Sequence, residues 1–281
     1  MDRLLLLGVT CVNVVLVPVA DPSRPPLDPA ALPPWRIEVL DESPSTNADV
    51  AGRALDGEPP GLVVVAEHQT AGRGRLDRTW VTPARAALTF SLLVAPAPVR
   101  PERWPWLPLL TGLAVVDGVR RAAGVDATLK WPNDVLVDGA KVAGILVERV
   151  ERPGGAVAVV GVGLNVSSTR EELPVTTATS LALARARSLD RAALLVALLD
   201  AFGQRYDAWR AAAGQGPRSS YLQACSTIGR PVRVQLPTGG ALLGRAVGVD
   251  DGGRLQVDDR SRVHLLGAGD VVHVRAEDEA R

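Results

Sequence analysis

Apolar residues along this chain recur with two different periods. Residues 107–123 repeat them at helical spacing (Leu109, Leu110, Leu113, Val116, Val119) and stop at Gly124, which predicts a helix with a glycine C-cap. Residues 191–213 read as a long amphipathic helix, with a short one around 219–225. Shorter apolar or alternating runs predict strands at 35–40, 62–67, 87–94, 128–131, 135–137, 142–150 and 156–162. Asp138-Gly139 is a hairpin turn between two of them. Ser45-Thr46-Asn47 offers capping side chains for a helix over 48–55. After Gly229 the texture changes to short Val/Leu strands separated by glycine-rich turns, the pattern of a small β-barrel over residues 229–275. The expected fold class is α+β: a catalytic domain over 35–226, then the all-β domain.

Composition narrows the function. The chain of 281 residues has 47% hydrophobic residues, enough for a large core, and its 31 Lys+Arg balance its 31 Asp+Glu. Zero net charge argues against binding nucleic acid mainly through phosphate neutralisation. Two cysteines far apart, Cys11 and Cys225, make neither a disulfide framework nor a metal cluster and suit a reducing, cytoplasmic setting. His68, His264 and His273 are scattered, so a protein-held zinc is not expected. Residues 1–34 form an extension: an uncharged apolar run over 4–20, then a proline-rich lead-in over 21–34. The run is short for a membrane span and its flanks are poor for a signal peptide. A third reading places the true translation start further along, at Val12 or Val19.

Two segments carry the candidate chemistry. Four arginines against the single acid Asp77 lie between Gln69 and Arg85, in the setting Gly72-Arg73-Gly74-Arg75. The glycines should let the backbone fold tightly and expose its N–H groups, while arginine forks suit phosphate oxygens. A solvated basic turn is the plain alternative. The second segment is Lys130-Trp131-Pro132-Asn133-Asp134, followed by Lys141 in a run otherwise apolar through Val147. A lone lysine facing a core is costly unless it is paired or working. Gly144, Gly161 and Gly163 should let a ligand approach the backbone closely. Gly161-Val162-Gly163-Leu164-Asn165-Val166 lacks the helix and glycine spacing of a dinucleotide fingerprint.

Five segments taken together resemble the biotin protein ligase family: Ser45-Thr46-Asn47, residues 69–75, residues 130–134, Lys141-Val142-Ala143-Gly144-Ile145-Leu146, and residues 161–166. The resemblance runs from about residue 36 to 275 and implies a biotin/lipoate ligase-like catalytic sheet followed by an SH3-like barrel. It implies biotin binding by Ser45, Thr46, Asn47, Gln69, Gly72, Arg73, Gly74, Arg75, Lys141, Gly144 and Gly163. It implies nucleotide binding by Arg73, Arg75, Arg78, Trp80, Lys130, Asn133, Asp134, Lys141 and Asn165, with Lys141 and Arg75 as catalytic groups. ATP and Mg2+ would be co-substrate and ion, the magnesium near Asp134 and held by no protein site alone. The implied reaction forms biotinyl-5′-AMP and passes biotin to a lysine of a carboxyl-carrier domain of acyl-CoA carboxylases. About 35 residues precede the catalytic part, too few for the winged helix-turn-helix of repressor members, so DNA is not expected as a partner; with the apolar run too short to span, no membrane is expected either. The protomer should be a monomer or weak homodimer. Leu76 and Asp77 depart from the small or basic residues often found there, and Asp77 could pair with an arginine and alter how the loop holds the adenylate. The alternatives are a lipoate or octanoate ligase of the same fold, or a nucleic-acid-binding regulator.

Overall fold

In the computed structural model, residues 21, 23–32, 35–76, 78–236, 239–267 and 269–273 are described. The apolar run of 4–20, Cys11, the alternative start positions and Asp77 lie outside them.

In chain order the first elements are β1 (Arg36–Leu40), α1 (Thr46–Leu55), β2 (Leu62–Ala66), β3 (Ala87–Val94), α2 (Trp106–Ala123), β4 (Thr128–Lys130), β5 (Asp134–Val137), β6 (Ala140–Val150), β7 (Val157–Asn165), α3 (Arg191–Ala211) and α4 (Arg218–Ala224). The strands form one sheet in the order β1-β2-β3-β7-β6-β5-β4, with only β1 and β2 parallel. Strand alternation sorts the side chains. Leu88, Phe90, Leu92, Ala158, Val160, Val162 and Leu164 face a core shared with α2 and α3. On the opposite face Leu62, Val64, Leu93, Val157 and Val159 pack against Val50 and Ala54 of α1. Helix α2 ends where expected, at Gly124 with φ +69. Among the described residues no helix is long and apolar enough to cross a membrane.

The C-terminal strands β8 (Pro231–Gln235), β9 (Ala241–Val249), β10 (Leu255–Asp258), β11 (Val263–Leu266) and β12 (Asp270–His273) make a separate small SH3-like antiparallel sheet, ordered β11-β10-β9-β8-β12. Its apolar face joins the main core through Val232, Val234, Ala246, Val249, Leu255 and Val257. Two indole N–H groups stitch the sheets together: Trp106 donates to Asp251 O (2.8 Å) and Trp131 to Gly253 O (3.2 Å).

The proline-rich lead-in is docked, not merely extended. Arg24 is buried, donates to both oxygens of Glu172 (2.7 and 3.1 Å) and also reaches Ser167 O. Leu27 is buried and its N–H donates to Glu67 (2.6 Å). Glu67 in turn pairs with Arg191 at 2.5 Å, the two side chains being 3% and 7% exposed. Removing one partner of such a pair leaves a buried charge uncompensated. Glu67→Gln should therefore cost about 3–5 kcal/mol of stability, read as a lowered urea midpoint. A midpoint shift under 1 kcal/mol would show the pair to be solvated in solution.

Candidate functional site

The sheet face around α1 and the inner edge of the small sheet enclose a cavity of about 1400 Å³. A single drug-sized ligand needs roughly 300–1,000 Å³, so the cavity is larger than one such ligand fills. Its walls carry Ser45, Thr46, Asn47, Gln69, Arg73, Gly74, Arg75, Arg78, Trp80, Lys130, Asn133, Asp134, Lys141, Gly144, Gly163 and Asn165. Every sequence-predicted site residue except Gly72 is thus brought together. Gly72 lines an adjoining cavity of about 750 Å³ on the other side of the arginine loop.

One end of the cavity is a polar chain. Ser45 precedes α1 but makes no capping bond; Gln69 Oε1 caps the helix instead, accepting from Thr46 N–H (2.9 Å) and the Thr46 hydroxyl (3.2 Å). Thr46 and Asn47 lie inside the helix and are not caps, correcting the sequence expectation. The reason is tertiary: an isolated bridge between Ser43 and Gln69 brings the Gln69 amide over the helix start. From Thr46 the chain continues through the buried Ser91 hydroxyl (2.7 Å), which donates to Asn47 Oδ1 (2.6 Å). Asn47 Nδ2 donates to Glu148 (2.7 Å), and Glu148 accepts from Arg73 (3.1 and 3.2 Å). Neither Ser91 nor Glu148 was picked out from the sequence. A hydroxyl within the buried run Ala87–Val94 was the available signal for the first.

The glycines correct another expectation. A methyl on Gly161 would collide with the Asn47 side-chain oxygen, and one on Gly163 would lie 2.5 Å from the Trp80 ring. The bare strands therefore admit the site's own Asn47 and Trp80 in this structure. Trp80 also sits under Lys141, with Nζ 5.8 Å from its ring. Among the described residues its buried indole N–H has no hydrogen-bond partner.

The arginine segment is a tight hairpin. Arg73 bridges Thr79, Trp80 N–H donates to Gly72 O (2.8 Å) and Gly74 N–H to Arg78 O (2.6 Å). The Gly74 amide is thus spent inside the hairpin and is not presented to an anion as expected. The side chains are presented instead. Arg73 meets Glu148, and Arg78 is ion-paired with Asp270 of β12, a bond that raises its pKa. Arg75 is different: among the described residues it forms no ion pair, and its side-chain contact is a long one to Asn133 Oδ1 (3.4 Å). Burial pushes its pKa down despite the attraction of Asp134 and Asp270. A half-buried guanidinium of this kind is ready for an anion.

Lys141 faces the cavity, 34% exposed, with its ammonium 2.6 Å from Asp134. Asn133 is pinned across the strand, donating to Ile145 O (2.8 Å). Six Lys and Arg side chains line the cavity against the carboxylates of Asp134 and Asp270. The sign of the field suits a polyanion.

His273 closes the far wall beside Lys130 and Arg230. Burial first, then those two cations, hold its imidazole down to about 4. An unfolded histidine takes its proton near 6.5, so the unfolded state gains protons first as pH falls from 6.5 to about 4, and stability declines across that window. His273→Gln should flatten this part of the urea-midpoint profile relative to wild type. Parallel profiles would place the imidazole in solvent.

Known proteins resemble this chain in sequence and in fold. Residues 39–165 match the Biotin/lipoate A/B protein ligase family and residues 227–274 the Biotin protein ligase C terminal domain. The biotin--[acetyl-CoA-carboxylase] ligase of Mycobacterium tuberculosis is 42% identical over 268 residues, 91% of this chain and 98% of that protein. The bifunctional ligase/repressor BirA of Bacillus subtilis is 31% identical over 238 residues, covering 83% of this chain and 72% of its own length. Among solved structures, the biotin protein ligase from Aquifex aeolicus in complex with biotin and ATP superposes with a TM-score of 0.71 at 25% identity, over 86% of this chain and 99% of that one.

Proposed function

This chain belongs to the biotin protein ligase family and is a ligase, and from that premise we propose that it activates biotin with ATP and transfers it to a carrier lysine. The observation that carries the reading is the convergence, in one cavity, of the polar side chains of Ser45, Thr46, Asn47 and Gln69 with the cations Arg75, Arg78, Lys130 and Lys141. Biotin's ureido ring suits the Ser45, Thr46, Asn47 and Gln69 end, and its carboxylate points toward Lys141. ATP lies toward Arg75, Arg78, Trp80, Lys130 and Asn165, with Asn133 holding the strand turn.

In the first step a biotin carboxylate oxygen attacks the α-phosphorus, and pyrophosphate leaves. Two anions must meet, and Lys141 with Arg75 offsets their repulsion and the charge that builds on the α-phosphate. Most of the acceleration comes from alignment and electrostatics, without a covalent enzyme intermediate. Magnesium carried in by the phosphates would lie near Asp134, where it would supply charge neutralisation. The mixed anhydride is hydrolysable, so the arginine hairpin shields it. In the second step a lysine amine attacks the acyl carbon and AMP leaves. The acceptor is the biotin carboxyl-carrier domain of an acyl-CoA carboxylase, as the name of the mycobacterial relative suggests for that protein.

ATP–pyrophosphate exchange, with biotin and lipoate supplied separately, tests the reading. Exchange with biotin alone supports it. Exchange with lipoate alone moves the chain to the lipoate side of the family, and folded protein inert with both refutes an adenylating activity.

A further inference from the structure

The polar chain does not stop at the ring-binding end. It runs Gln69, Thr46, Ser91, Asn47, Glu148, Arg73, and its last link is on the hairpin. Both ends of the Asn47 amide are engaged: Oδ1 accepts from Ser91, and Nδ2 donates to Glu148 and to Leu146 O (3.3 Å). Ser91 and the Leu146 carbonyl belong to strands of the main sheet and cannot yield. The Glu148 carboxylate is part-exposed and shared, with Oε2 accepting from Asn47 and Arg73 together.

We propose that Glu148 is a positioning residue that couples the ring-binding end of the cavity to the arginine hairpin. The coupling rests on the reading above, in which Asn47 contacts biotin. A ureido carbonyl that takes the Asn47 Nδ2 proton removes one of the donors of Glu148. Its negative charge then rests on Arg73 alone, and that pair tightens. Filling the ring site thereby draws Arg73 onto β6 and seats the hairpin over an occupied cavity. An exposed ion pair by itself carries little weight; this one differs because its carboxylate is also bonded to a buried amide.

The test uses the full chain as wild type, Glu148→Gln and Glu148→Asp, without ATP. Biotin affinity is measured by calorimetry, and tryptic cleavage after Arg73 is timed by mass spectrometry with and without biotin. Wild type should be cleaved several-fold more slowly when biotin is bound. Glu148→Gln should be cleaved faster in the free state and show little biotin protection. Glu148→Asp keeps the charge and should recover part of the protection. Thermal melting of all three checks that the fold is intact. Weaker biotin binding with undiminished protection would overturn the coupling, since Glu148 would then serve Asn47 alone. Wild-type affinity and protection in Glu148→Gln would also overturn it. Folded wild type that binds no biotin would instead overturn the ligand reading, and is told apart because the ligand-free cleavage rates of wild type and Glu148→Gln would still differ.

Discussion

Lys141→Ala should lose biotin-dependent ATP–pyrophosphate exchange by about 10²–10³-fold, equivalent to roughly 3–4 kcal/mol of transition-state stabilisation. The expectation follows from position. Its ammonium lines the same cavity as the arginines, 2.6 Å from Asp134 and above the Trp80 ring. In the proposed reaction, attack of a carboxylate on a triphosphate would concentrate negative charge at that point. The substitution also leaves Asp134, 21% exposed, without its partner, so the local field turns repulsive to both substrates. Lys141→Arg should not restore the rate, because a planar fork cannot occupy the place of a compact ammonium. Exchange within fivefold of wild type, in folded Lys141→Ala protein, would remove this lysine from the reaction.

Arg75→Gly should release biotinyl-adenylate about 10–100-fold faster than wild type, taking roughly 1.5–3 kcal/mol for a lost charged hydrogen bond. Among the described residues this guanidinium forms no ion pair, and burial already depresses its pKa. In the proposed reaction the adenylate phosphate would give it a counter-charge. Without it the hairpin keeps its backbone bonds but loses its grip on the anhydride. Two readouts follow: labelled adenylate passing a filter that retains protein, and acylation of exposed lysines on a bystander protein. Unchanged selectivity for the carrier lysine would mean that Arg75 does not retain the intermediate.

The candidate site was unusually legible in the sequence because its residues cluster in short segments at strand ends and turns. Ser45 to Asn47, Gln69, Arg73 to Arg75, Lys130 to Asp134 and Lys141 all line one cavity. The residues that were missed act across strands. Ser91 is buried in β3, and Glu148 stands at the far end of β6. Their importance lies in what crosses to meet them, 44 and 101 residues away along the chain in the case of Asn47. Asp270 was missed for the same reason, since Arg78 meets it from 192 residues away. The assumed Ser45 cap failed because a cap can come from anywhere that reaches the helix start, and here Gln69 reaches it.

What the sequence by itself determined was local: the periodicity of α2, its stop at Gly124, the order of strands and helices, and the change of texture at Gly229. Those depend on neighbouring residues and on which faces must be buried. Lys141 shows what it could not determine. Alternation along β6 puts Ala143 and Ile145 on the core face, and simple parity would put Lys141 there with them. In the folded sheet the β5–β6 register shifts between Val135 and Leu136, so Val142 turns into the core and Lys141 turns out toward Asp134. A bulge of one residue re-aims every side chain beyond it. Its position is set by how β6 must pair with β5 and β7 at once, a condition that exists only once the sheet is assembled.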